Sequence, residues 1–258
     1  MPVNADRETV PATGDEGDLP INELFYSLQG EGKLAGVPSV FVRTSGCNLR
    51  CWFCDSYHTS WEPTHARMTV DDVLREVRAR ERAEHVVLTG GEPLVHEASV
   101  ELLERLADAG YHTTVETNGT IHRDAPIDLA SVSPKLASST PTPENAPEGA
   151  DAGAWTERHE ARRIDLASLA RFVEDYETQL KFVVTGPDDL PEVVSLVEEV
   201  RAAAAAPVPN DDVLLMPEGT TREALAERRT EVADLALEYG FRYTPRLHVD
   251  LWNDAPGT

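Results

Sequence analysis

Three cysteines fall within eight residues, Cys47-Asn48-Leu49-Arg50-Cys51-Trp52-Phe53-Cys54, and the chain has no others. A C-x3-C-x2-C spacing gathers soft thiolate ligands on one loop, which suits iron–sulfur or zinc chemistry. Iron–sulfur clusters are usually held by four cysteines. Three thiolates can hold three irons of a 4Fe–4S cube and leave the fourth iron open to a small molecule. Zinc is the competing reading, because His58, four positions after Cys54, completes a Cys3His set. A disulfide with one spare thiol fits less well. The chain shows no secretory signal and no long apolar run, and reads as cytoplasmic, where thiols stay reduced.

A second segment with chemical content is Thr89-Gly90-Gly91-Glu92-Pro93. Paired glycines let the backbone approach a ligand closely and expose amides and carbonyls that can hold an amine or a carboxylate. A plain strand-to-helix turn is the alternative. Only three lysines occur, Lys33, Lys135 and Lys181. Lys135 closes Ser133-Pro134-Lys135 and Lys181 closes Gln179-Leu180-Lys181, each near the end of an expected strand.

The elements that must position these residues alternate along the chain. Short β-rich runs at Ser39–Arg43, His85–Thr89, His112–Glu116, Leu129–Val132, Leu180–Val184 and Val213–Met216 are separated by amphipathic segments. In Thr69–Ala83, Val70, Val73, Leu74 and Val77 fall on one helical face behind a Thr69 cap. Val193, Leu196, Val197 and Val200 repeat that spacing, and Leu225, Val232, Leu235 and Tyr239 mark a late helix that Gly240 ends. Alternating strands and helices predict a parallel α/β sheet. Six units are too few for a closed eight-fold barrel. The expected fold is an open, partial (β/α)6 barrel, with the cysteine loop at the carboxyl ends of the strands. Residues 1–20 read as an acidic, disordered tail and 21–258 as the domain. A Pro-, Glu- and Gly-rich insert at about 138–163 reads as either disordered or a lid.

Composition narrows the function classes. The 258 residues carry 46 acidic and 23 basic side chains, a formal net charge of −23. Such a surface repels polyanions, so direct nucleic-acid binding is disfavoured. No stretch approaches the ~20 apolar residues of a membrane span. The acidic, lysine-poor balance resembles that of proteins from salt-loaded cytoplasm and reads as halophilic.

Together the cysteine loop and the Gly-Gly-Glu-Pro segment resemble the radical S-adenosylmethionine (SAM) superfamily. The resemblance implies a 4Fe–4S cluster on Cys47, Cys51 and Cys54, whose open iron chelates SAM. A narrower resemblance, strongest over residues 21–137, is to the 7-carboxy-7-deazaguanine synthase family. It rests on Ile21-Asn22-Glu23, Phe25-Tyr26-Ser27-Leu28-Gln29-Gly30-Glu31-Gly32, Gly36-Val37-Pro38-Ser39-Val40-Phe41-Val42-Arg43, Cys54-Asp55-Ser56 and Ser133-Pro134-Lys135. That family converts 6-carboxy-5,6,7,8-tetrahydropterin to 7-carboxy-7-deazaguanine and ammonia, on the way to queuosine or archaeosine in tRNA. A 5′-deoxyadenosyl radical takes the pterin C6 hydrogen, the ring contracts, and SAM is regenerated.

The resemblance also implies roles. Phe53 lies near adenine; Gly91, Ser133, Pro134 and Lys135 contact SAM; Glu116, Asn118 and Lys181 are further SAM-side candidates. Leu28, Gln29, Gly30, Arg43 and Thr89 contact the pterin, with Arg43 pairing its carboxylate. Pro256 is a candidate substrate contact from the C-terminal end. Ser56 stands where the family usually has threonine and keeps the hydroxyl that helps bind Mg2+. An electron donor such as ferredoxin or flavodoxin and a homodimer are implied, and no membrane partner. Two alternatives are a glycyl-radical-enzyme activase and a Cys3His zinc module. The Ser-Leu-Gln-Gly-Glu-Gly segment and Arg43 oppose the first; the net charge and Gly-Gly-Glu-Pro oppose the second.

Overall fold

The computed structural model describes residues 17–253 and 255; residues 1–16 and Pro256 lie outside that range. Among the described residues nine strands form one sheet: β1 (Asp18–Leu28), β2 (Pro38–Thr44), β3 (Ala66–Thr69), β4 (His85–Gly90), β5 (His112–Thr117), β6 (Leu129–Val132), β7 (Thr178–Val184), β8 (Val213–Pro217) and β9 (Arg242–Tyr243). Eight helices accompany them: α1 (Tyr57–Ser60), α2 (Val70–Arg78), α3 (Ala98–Asp108), α4 (Ala152–Glu160), α5 (Leu166–Asp175), α6 (Leu190–Ala203), α7 (Arg222–Tyr239) and α8 (Leu247–Trp252).

The sheet order is β3-β1-β2-β4-β5-β6-β7-β8-β9, so β3 and β9 are edges and the barrel is not closed. The six expected strands are β2, β4, β5, β6, β7 and β8, and they run parallel in that order. Their buried runs, such as Val86-Val87-Leu88 and Val213-Leu214-Leu215, are those of strands covered on both faces. Alternation then decides which side chains meet the helices. Val40, Val42, Val86, Leu88, Leu180, Phe182 and Val184 join the main core. Phe41, Arg43, Thr89, Lys181 and Val183 turn to the opposite face, where a cleft opens.

Local signals work as the residue types dictate. Thr69 Oγ1 accepts from Asp72 N at 3.1 Å and starts α2, which buries Val70, Val73, Leu74 and Val77. Gly240 ends α7 at φ 67°, a left-handed cap that glycine adopts without a Cβ penalty. No helix among the described residues is long and apolar enough to cross a membrane.

One boundary differs from the sequence reading. Residues 18–20, assigned to the tail, belong to β1: Asp18, Leu19 and Pro20 pair with Thr69, Met68 and Arg67 of β3. Leu19 is fully buried, so it is a core residue that its acidic neighbours disguise. β1 is antiparallel to β2 and extends the sheet beyond six strands. Residues 138–163 carry a 3-10 turn at Ala137–Ser139 and the helix α4, which Asp151 caps through Ala154 N.

Candidate functional site

The carboxyl ends of β2, β4, β5 and β6 lead directly into the segments singled out in the sequence. After β2 come Ser45, Gly46 and the cysteine loop; after β4, Gly91 and Glu92; after β5, Asn118; after β6, Ser133-Pro134-Lys135. Parallel register sets Arg43 beside Thr89 and Thr44 beside Gly90.

The glycine turn is pressed against the cysteine loop. Gly91 N donates to Thr44 O at 3.2 Å and Glu92 N to Gly46 O at 2.9 Å. A Cβ on Gly91 would stand 2.3 Å from Gly46 O and 2.8 Å from Cys47 Cβ, so only glycine fits. The Glu92 side chain is fully buried. It accepts from Leu94 N (3.1 Å), Thr117 Oγ1 (2.9 Å) and Asn118 N (2.7 Å). Burial pushes its carboxyl up to about 7, against those donors. Glu92 therefore ties the end of β4 to the end of β5. Asn118 Nδ2 then donates to Asn48 Oδ1 at 2.9 Å, which carries the tie to the cysteine loop.

All three cysteines are free thiols on one cleft. Burial pushes Cys47 and Cys51 up to about 12 and raises Cys54. Leu49 N donates to Cys47 Sγ at 3.4 Å, and Ser60 Oγ to Cys54 Sγ at 3.2 Å. His58 is exposed and does not line the cleft. Among the described residues, no three His, Cys, Asp or Glu side chains close around a point as a single ion requires. With His58 off the cleft, the three thiols that line it are not joined by the histidine that a Cys3His zinc set needs.

Leu28, Gln29, Gly30, Arg43, Phe53, Ser56, Thr89, Gly91, Glu116, Asn118, Ser133, Lys135 and Lys181 line the same cleft. Pro134 does not line it, and Pro256 is outside the described residues. Lys135 Nζ donates to Ser133 Oγ at 2.7 Å. Gln29 Oε1 accepts from Gly30 N at 2.8 Å, and its Nε2 donates to Glu116 Oε1 at 3.1 Å. Arg43 Nη1 donates to Ser56 Oγ at 2.6 Å. Its Nε lies 3.4 Å from Glu23 without hydrogen-bond geometry and is buried and unpartnered.

A charge network also lines this cleft. Lys181 Nζ sits 2.6 Å from Glu31 Oε2 and 2.8 Å from Glu116 Oε2. Arg246 Nε sits 2.9 Å from Glu31 Oε1, and its other end pairs with Asp55. Burial alone would lower the Lys181 ammonium, but Glu116 and Glu31 more than offset that and raise it. Burial alone would raise the Glu31 carboxyl, but Lys181 and Arg246 hold it well below the usual carboxylate range.

Glu31, Asp55, Arg246 and His248 line this cleft and were not singled out by sequence. Glu31 and Asp55 lie within quoted motifs, and their placement there is the signal. Arg246 and His248 stand near the end of the chain in no motif; Leu247 N reaches the site through Gly30 O at 2.8 Å.

The radical SAM superfamily model matches residues 41–135. The chain is 68% identical over 259 residues to the 7-carboxy-7-deazaguanine synthase of Halobacterium salinarum, covering 100% of both chains. It is 42% identical over 248 residues to the enzyme of that name from Rhodopirellula baltica, covering 96% of this chain and 91% of the relative. The fold is similar to that of QueE from Escherichia coli, with a TM-score of 0.63, 24% identity, and coverage of 90% of this chain and 95% of that one.

Proposed function

The chain belongs to the 7-carboxy-7-deazaguanine synthase family of radical SAM enzymes, and from that premise we propose that its cleft converts 6-carboxy-5,6,7,8-tetrahydropterin to 7-carboxy-7-deazaguanine with loss of ammonia. The observation that carries the reading is the Arg43–Ser56 contact at 2.6 Å in the cleft that the three cysteines line. A guanidinium and a hydroxyl side by side offer a carboxylate its cation and a hard metal ion one oxygen ligand.

Cys47, Cys51 and Cys54 would hold the cluster, and Ser133, Lys135, Gly91 and Asn118, which line the same cleft, would contact SAM. Bound together, cluster and SAM supply the radical chemistry that side chains cannot. The chain's part is to bind, orient and exclude water. Arg43 binds the pterin carboxylate, and Ser56 joins that carboxylate in holding Mg2+. Gln29 presents a fixed amide to a pterin edge, its oxygen already engaged by Gly30 N and its nitrogen by Glu116. Thr89, beside Arg43, adds a hydroxyl. Lys181, paired with Glu31 and Glu116, fixes both carboxylates in the cleft. A low-potential donor of the ferredoxin or flavodoxin class supplies the electron, the working form is a homodimer, and the product feeds archaeosine or queuosine.

The test uses protein reconstituted anaerobically in high salt, with SAM and a reductant. The expected result is conversion of the carboxypterin that depends on Mg2+, and none of a tetrahydropterin lacking the 6-carboxylate. Equal handling of both pterins, or activation of a partner protein with the carboxypterin untouched, contradicts the reading.

A further inference from the structure

Three consecutive carbonyls, those of Thr44, Ser45 and Gly46, lead from β2 into the cysteine loop, and the segment after β4 takes all three. Gly91 N donates to Thr44 O at 3.2 Å and Glu92 N to Gly46 O at 2.9 Å. Ser45 O lies between them, and its donor is a side chain: His96 Nε2 stands 2.8 Å away.

A carbonyl oxygen only accepts, so Nε2 carries the proton in this contact. Ser45 is buried, and a buried carbonyl left without a donor is costly. The two backbone N–H groups are present whatever the side chains. The third donor exists only because residue 96 is histidine.

His96 is firmly mounted. Its N donates to Pro93 O at 3.3 Å, its O accepts from Ser99 N at 3.2 Å, and Ser99 Oγ donates to Pro93 O at 2.7 Å. The ring therefore projects from the junction between the 3-10 turn Pro93–Val95 and α3, where Leu94 and Ser99 are fully buried.

The remaining backbone groups of the stretch are committed as well. Ser45 N donates to Pro20 O at 2.8 Å and Gly46 N to Thr59 O at 2.7 Å. Cys47 comes next in the chain, packed against Gly91. Residues 44–46 thus form the base on which the first cysteine stands.

We propose that His96 is a positioning residue for the iron–sulfur cluster: its imidazole N–H holds the Ser45 carbonyl, fixes the direction in which the chain enters Cys47, and slows loss of the cluster. The proposal rests on the three-cysteine cluster of the preceding reading. His96 does not line the cleft, so it acts through Ser45 and Cys47 rather than on a bound molecule.

The experiment compares wild type, His96→Gln and His96→Met after anaerobic reconstitution with iron and sulfide. The rate of iron loss to a chelator is read without turnover. Gln and Met are of similar length, but only Gln offers an N–H. The expected result is iron loss roughly 10-fold faster in His96→Met, the lower end of the range for groups that orient metal ligands. His96→Gln should stay near the wild-type rate. If His96→Met does not fold, nitrogen NMR of wild type labelled at histidine decides the matter. The proposal expects the His96 proton on Nε2; a neutral ring protonated on Nδ1 leaves Ser45 O without its donor and overturns it. A loaded wild type matched by His96→Met, or a His96→Gln that loses iron as fast as His96→Met, overturns the proposal alone. A wild type that takes up no cluster overturns the cluster reading and the proposal with it.

Discussion

Lys181 Nζ lies 2.8 Å from Glu116 Oε2, a buried ion pair on a strand that otherwise supplies the apolar core. The same ammonium reaches Glu31 at 2.6 Å, so one cation holds two carboxylates in place. Lys181→Met leaves the half-buried Glu31 with Arg246 and the half-buried Glu116 with only the Gln29 amide. The expected loss is about 3–5 kcal/mol, since a half-removed buried pair leaves charge uncompensated. Denaturant unfolding in molar salt measures it, and Lys181→Met with Glu116→Gln should recover part of the loss. An unchanged midpoint in the single variant contradicts the network's importance.

The same network sets a pH profile. Glu31 has a folded pKa below its unfolded value, so its contribution is present above about pH 4.3 and is lost as pH falls further. Lys181 has a raised folded pKa, so its contribution is intact below about pH 10.4 and is lost only as pH rises through the raised value. The contribution of this network should therefore be level between those limits. Glu31→Gln should flatten the acid limb of unfolding free energy against pH; an acid limb of the same depth in that variant speaks against Glu31 as its source.

Arg43 and Ser56 should separate in kinetics. Arg43→Lys keeps the charge but loses the planar fork, so KM for the carboxypterin should rise by roughly 10- to 100-fold with a smaller change in kcat. Ser56→Ala should raise the Mg2+ concentration needed for half-maximal rate, and Ser56→Thr should restore it. A fall in kcat alone, with KM and the Mg2+ requirement unmoved, is the opposing outcome.

Gly91→Ala should abolish cluster uptake, because the new Cβ would collide with Gly46 O at the base of the cysteine loop. Iron and sulfide content after reconstitution gives the answer. Full loading of this variant contradicts the tight apposition of the two loops.

Salt should stabilise the fold strongly. A formal charge of −23 makes self-repulsion a standing cost at low ionic strength, and molar salt shortens the Debye length to about 3 Å. Melting temperature should climb steadily between dilute buffer and molar KCl; a flat response is incompatible with this reading of the surface.

What was legible in the sequence follows from how local each signal is. The six parallel strands are short runs rich in β-branched and aliphatic residues, and the cysteine loop and Gly-Gly-Glu turn are contiguous motifs at their ends. β1 was hidden because Asn22, Glu23, Tyr26 and Ser27 interrupt its apolar residues. Arg246 and His248 enter the cleft only because α8 returns to Gly30, a contact between residues more than two hundred positions apart. His96 was hidden for a different reason. It follows the Gly-Gly-Glu-Pro segment by three residues, and nothing in that spacing signals that its ring turns back to Ser45 O.

The most direct measurement is product formation over many turnovers. Reconstituted protein is incubated anaerobically with excess 6-carboxy-5,6,7,8-tetrahydropterin, SAM, Mg2+ and reductant, and pterin, product and SAM are followed by chromatography. The expected result is 7-carboxy-7-deazaguanine in large molar excess over enzyme, with SAM conserved. SAM cleaved to 5′-deoxyadenosine while the pterin stays intact would contradict the assignment of this cleft.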